Sequence, residues 1–148
     1  MTETVTGLGG AFVFSEQPGR LAKWFEACFD LSFEQLGDSG TCYQVFWTLD
    51  PGQPKCLVDT TFAIMRARTA LPRAEKNQDA GDMYGDQHFM INLRASDLDA
   101  LVERLEGQGE TILGRQDEGE YGLFAWLHDP DGNRVELYEP RHGKQASG

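Results

Sequence analysis

The chain has 148 residues, with 24 Asp and Glu against 13 Lys and Arg and a formal net charge of -11. A field this negative repels phosphate backbones and anionic headgroups, so neither nucleic acid nor a membrane surface is an expected partner. Hydrophobic residues make up 40% of the chain, enough to bury one core, but no apolar run approaches the ~20 residues a bilayer requires.

The length suits one domain, or two small modules sharing one. Residues 1–10 hold no basic cluster and no apolar stretch of signal-peptide length. Cys28, Cys42 and Cys56 are odd in number and lack motif spacing, so they read as free thiols in a reducing cytoplasm. Sixteen of the 24 acidic residues lie in residues 75–148, which reads as a solvated acidic surface.

In chain order, Gly9–Phe14 is an apolar run rich in strand formers. A helix is expected from about Gly19 to Phe29, with Leu21, Trp24, Phe25, Cys28 and Phe29 on its buried side. Cys28 on that stripe reads as a small core residue, not a nucleophile. Strand-like runs follow at Ser32–Leu36, Cys42–Leu49 and Thr61–Met65. Thr69–Gln87 has no period and reads as a linker or lid. Phe89–Arg94 then alternates as a strand. Ser96 or Asp97 can cap a second helix, Asp99 suits its first turn, and Leu98, Leu101, Val102 and Leu105 form one apolar stripe. Gly107 and Gly109 stop it. Strands are expected at Glu110–Leu113, Leu123–His128 and Arg134–Glu139. Asp129-Pro130-Asp131-Gly132-Asn133 is a tight turn between the last two. The tail after Pro140 is polar.

Both halves therefore read β-α-β-β-β. An offset of 80 superposes Ala11 on Ile91, Val13 on Leu93, Leu21 on Leu101, Ala22 on Val102 and Phe25 on Leu105. Asp97-Leu98-Asp99-Ala100-Leu101 with Gly109, and the run Tyr121–Leu137 around the turn, resemble the second-module signature of the vicinal oxygen chelate superfamily. That superfamily includes glyoxalases, bleomycin-resistance proteins and extradiol dioxygenases. Gly7–Phe29 resembles the first module, with Gln17-Pro18 where the family often has Asp-Pro.

The resemblance implies an α+β fold of two βαβββ modules, whose mixed sheets form an open cup with helices outside. One domain over residues 5–140 is expected: module one at 5–68, a linker at 69–87, module two at 88–140 and a tail at 141–148. The resemblance also implies a homodimer and a small-molecule ligand on the concave face.

In the family's metalloenzymes the first and last strands of each module supply the metal ligands. The last-strand carboxylate of module two matches Glu136. The first-strand position, usually His, matches Met90 in module two and Gly10 in module one. Thr61–Met65 offers no His, Asp, Glu or Cys. A divalent site needs about three protein donors, so a complete metal site is not expected. One alternative stays open: His88, two residues before Met90, would share its face and join Glu136 as a ligand. His128 beside the turn and His142 in the tail are poorly placed to complete the set.

Alternation assigns the faces. Phe89, Ile91 and Leu93 would meet the helix, and His88, Met90, Asn92 and Arg94 the concave side. Pairing His128 with Arg134 across the turn sets Trp126 beside Glu136 and Phe124 beside Tyr138. Pseudo-symmetry adds Phe12 and Phe14. The candidate ligand-binding lining is then Phe12, Phe14, Met90, Asn92, Arg94, Phe124, Trp126 and Tyr138: apolar walls with a few polar groups. The same aromatics could instead pack as ordinary core.

A carboxylate among apolar walls is hard to ionise and can serve as a general base, the catalytic role open to Glu136. Nucleophile motifs and phosphate loops are absent: Gly7-Leu8-Gly9-Gly10 precedes a strand, not a helix. Two function classes remain. One is a glyoxalase/bleomycin-resistance-like module that binds an apolar or aromatic molecule without a cofactor. The other is a metal-dependent lyase, isomerase or dioxygenase that uses Glu136 and His88.

Overall fold

The structure, a computed structural model, describes residues 4–72, 84 and 87–141. Most of the expected 69–87 linker, and His142 with the rest of the tail, lie outside the described residues. Contacts divide the chain into two compact units, Met1–Leu71 and Pro72–Gly148.

Module one runs β1 (Gly10–Ser15), α1 (Pro18–Phe29), β2 (Glu34–Gln35), β3 (Cys42–Asp50) and β4 (Gln53–Arg66). Its sheet order is β1-β4-β3-β2, with β1 parallel to β4 and the other pairs antiparallel. Pro18 opens α1 at a position where a missing N–H costs nothing. Asp30 ends the helix in the left-handed conformation, its N–H donating to the Glu26 carbonyl. Leu21, Ala22, Phe25 and Cys28 are buried, whereas Trp24 and Phe29 are half-buried at the margin of the stripe. Phe25 meets Trp24 and Phe62 edge-on at 5.0 and 5.1 Å, and Phe33 packs on Phe62 at 5.7 Å. Such edge contacts add ~0.5–1.5 kcal/mol each beyond area burial.

Module two runs β5 (Ile91–Arg94), α2 (Leu98–Gly107), β6 (Ile112–Asp117), β7 (Leu123–His128) and β8 (Arg134–Glu139), with a 3-10 turn at Gly119–Tyr121. Its order, β5-β8-β7-β6, repeats that of module one strand for strand, again with one parallel pair. The Asp97 carboxylate accepts from the Ala100 N–H at 3.0 Å and caps α2. Glu139 accepts from the Leu98 N–H at 2.6 Å and ties β8 to the same helix end. Gly109, at φ 90°, lets the Glu110 N–H reach back to the Leu105 carbonyl. Leu98, Val102 and Leu105 bury against a sheet face carrying Ala125, Leu127, Val135 and Leu137. Asp99 on α2 and Arg115 on β6 form an ion pair at the rim of that face.

The sequence reading is corrected in three places. β4 begins at Gln53, eight residues before the expected strand, because Pro51-Gly52 closes a hairpin with β3. β6 continues to Asp117, past the expected Leu113. Phe89 precedes β5 and is exposed, so it does not join the helix-facing row.

Candidate functional site

Each sheet has one face under its helix and one helix-free face, and strand register decides which residues share a row. In module two, the Asp129 turn sets the register of β7 on β8. Asp129 Oδ1 accepts from the Asp131 and Asn133 N–H groups, both at 2.9 Å. His128 then lies opposite Arg134, Trp126 opposite Glu136, and Phe124 opposite Tyr138. Asn92 of β5 is level with Glu136, and Arg94 with Tyr138. Gly114 and Gln116 of β6 are level with Trp126 and Phe124.

Two rows therefore cross the helix-free face. The first is Asn92, Glu136, Trp126 and Gly114; the second is Arg94, Tyr138, Phe124 and Gln116. Phe124 and Tyr138 stack, with centroids 5.0 Å apart and planes at 21°. Gly122 makes room beside them, since a Cβ there would lie 2.8 Å from the Tyr138 ring and 2.4 Å from the Glu139 carbonyl oxygen.

The first row holds the unusual chemistry. Glu136 is 7% exposed and Trp126 2% exposed. Asn92 Nδ2 donates to Glu136 Oε1 at 2.8 Å. Glu136 Oε2 and Trp126 Nε1 are buried with no hydrogen-bond partner among the described residues. A buried polar atom without a partner costs ~1–3 kcal/mol, so each such atom requires an explanation.

Asp129 is the second buried carboxylate of this module, and the sequence reading took it for turn chemistry alone. Burial pushes its pKa up to about 6, against the lowering effect of its hydrogen bonds from Asn133 and Asp131. Arg134, also buried on the helix-free side, is a further residue the reading passed over. Its pairing with His128 was the available signal.

In module one, Val13 and Ser15 are buried, and the alternate residues Phe12 and Phe14 stay 56% and 52% exposed. Phe12 is level with Ala63, and Phe14 with Met65. An open depression of about 510 Å³ lies at this end of the sheet, lined by Phe14, Met65, Arg66, Ala67, Arg68 and Leu71. Trp47, Leu49 and Leu57 of the β3–β4 hairpin are also exposed. The thiol of Cys42 is pushed up by burial and then by Glu26, which makes it a poor nucleophile.

Ala63 pairs with Phe12 as Glu136 pairs with Asn92, so alanine stands where module two has its carboxylate. At Gly10 a Cβ would lie 2.2 Å from the Thr61 carbonyl oxygen, so that position accepts no side chain without a backbone shift. Met90 is half-buried, two residues before Asn92. His88 is exposed and four residues before Asn92, which is up to ~13 Å along an extended chain. Among the described residues, no three His, Cys, Asp or Glu side chains gather as a metal site. The positions that the resemblance marks for metal ligands are held by glycine, methionine, alanine and one carboxylate.

A family model described as a glyoxalase-like domain matches residues 11–138. No curated protein matches the chain in sequence. Among solved structures, the chain is similar to a lactoylglutathione lyase from Agrobacterium tumefaciens, with 12% identity, 93% of this chain and 96% of that one covered, and a TM-score of 0.62. It is also similar to TnmS3, an antibiotic-binding protein from Streptomyces sp. CB03234, with 20% identity, 94% and 99% covered, and a TM-score of 0.61. A third is the fosfomycin resistance protein FosX from Listeria monocytogenes, with 14% identity, 91% and 92% covered, and a TM-score of 0.57.

Proposed function

Because this chain belongs to the glyoxalase-like domain family, we propose that it binds a small apolar or aromatic molecule on its helix-free sheet faces, without a complete metal site. The observation that carries this reading is the pairing of exposed or stacked rings with donor-poor metal positions. Each module offers apolar contact of its own, module one through the exposed Phe12 and Phe14 and module two through the Phe124–Tyr138 stack. Gly10, Ala63 and Met90 stand where metal ligands would be needed. Asn92, Arg94 and Glu136 are the polar groups that orient a ligand.

TnmS3, described as an antibiotic-binding protein, is one structural neighbour with a role of that kind. The exposed Trp47, Leu49 and Leu57 are the surface that a homodimer would cover, in keeping with the expected pairing. The free cysteines suit a reducing compartment.

The metal-dependent alternative has less support, since His88 and Glu136 lie on different rows and differ in exposure. The test is native mass spectrometry with elemental analysis, on protein purified without chelator and again after loading with Mn, Fe, Ni or Zn. A retained organic molecule with substoichiometric metal is expected. Stoichiometric metal that disappears in Glu136→Gln overturns the reading.

A further inference from the structure

Two atoms of module two set a chemical requirement on whatever occupies its helix-free face. Trp126 Nε1 can only donate, and Glu136 Oε2 in its ionised form can only accept. Both are buried and unpartnered among the described residues, and their residues face each other directly across β7 and β8. Asn92 already satisfies the other oxygen of Glu136 at 2.8 Å. A group that serves both free atoms must accept from the indole and donate to the carboxylate.

A hydroxyl does both through one oxygen. A carboxylate or phosphate could satisfy the indole but would meet Glu136 with like charge. An ammonium could satisfy Glu136 but would present N–H to N–H at Trp126. The adjacent row adds the Phe124–Tyr138 stack, which suits a ring attached to that hydroxyl.

We propose that Trp126 Nε1 and Glu136 Oε2 form a two-point recognition site for a neutral hydroxyl carried on an aromatic ring, a phenol-type ligand. This deepens the small-molecule reading above and rests on it. The O–H donates to Oε2, and the hydroxyl oxygen accepts from the indole N–H. No bond is made or broken.

The probes are 2-naphthol and 2-methoxynaphthalene, which share an aromatic body and differ in the O–H. Binding is followed by the indole N–H resonances of the ¹⁵N-labelled full chain. 2-Naphthol should bind ~10-fold or more tightly than its methyl ether, since a hydrogen bond is being lost. It should also move the Trp126 resonance. In Glu136→Leu the preference should collapse to about one. Trp126→Phe, which keeps an aromatic ring and removes the N–H, should weaken 2-naphthol and leave the ether unchanged; it serves as the second variant if Glu136→Leu fails to fold. Equal binding of both probes to the native chain, as a tightly held water on the pair would produce, overturns the hydroxyl site and leaves the apolar reading standing. Binding of neither probe overturns both.

Discussion

Module one sets aromatic rings among the aliphatic chains beneath its helix, and module two relies there on aliphatic chains. Phe25, Phe33 and Phe62 meet there in module one. Leu98, Val102, Leu105, Leu127 and Leu137 take that role in module two. On the helix-free faces the contrast is in polarity. Module one sets Phe12 level with Ala63, where module two sets Asn92 level with Glu136. The frame asks only that one face of each sheet be apolar enough to hold a helix. The other face is free to vary, and module two has used that freedom to bury a carboxylate and an indole N–H. A repeat of fold is thus compatible with a division of labour between the modules.

The largest effect is expected in the cores. Phe25→Ala removes the ring that contacts Trp24, Phe29, Phe33 and Phe62, and should cost ~4 kcal/mol in urea unfolding. Leu105→Ala in module two should cost ~3 kcal/mol. A larger loss from Leu105 would break the distinction between an aromatic and an aliphatic core.

The acidic groups come next. Asp129 titrates near pH 6 in the folded chain against 3.8 as its reference value. Its folded pKa is raised, so its contribution favours folding in acid and is lost as pH climbs from about 4 through about 6. Asp129→Asn keeps an oxygen to accept from residues 131 and 133 and removes the charge. It should stabilise the chain by roughly 2–3 kcal/mol above pH 7 and by almost nothing below pH 4. Thermal unfolding across that range checks it; a gain that does not depend on pH would assign the effect to something other than ionisation.

Gly10→His tests whether module one could have carried the missing donor. The new Cβ would meet the Thr61 carbonyl oxygen at 2.2 Å. The variant should lose ~2 kcal/mol of stability and gain no bound metal on loading with Zn or Mn. Stoichiometric metal in this variant would show that the backbone yields, and that the two modules differ by sequence alone at this point.

The smallest effect separates the helix starts. Asp97 caps α2 through its side chain, and Gln17 before α1 makes no such bond. Asp97→Ala should cost ~1 kcal/mol and Gln17→Ala close to nothing, both measured by thermal unfolding.

Much of this is legible in the sequence. The 80-residue offset carries α1 onto α2 start for start, from Pro18 to Leu98. Pairing His128 with Arg134 across the Asp129 turn was one register the sequence allowed, with a bulge shifting it by one as the other, and the structure holds the unshifted pairing that sets Trp126 opposite Glu136. The early start of β4 was missed because Gln53–Thr60 is polar and exposed and lacks the alternation of a half-buried strand. Asp50-Pro51-Gly52 was the turn signal that could have found it. Asp129 reads in the sequence as turn chemistry alone, because turn chemistry and burial leave the same letters there.

The sequence by itself determined the two-module plan, the helix stripes and the turn before the last strand, because periodicity and turn chemistry act over a few residues. Only the tertiary structure decided that, among the described residues, Glu136 has one oxygen satisfied and one without a partner, and that the Trp126 indole N–H also lacks one. It alone decided that Gly10 is closed to any side chain by the neighbouring strand, and that Asp129 is buried. Each of these depends on which atoms a residue meets from strands distant in the chain, and no local pattern records that.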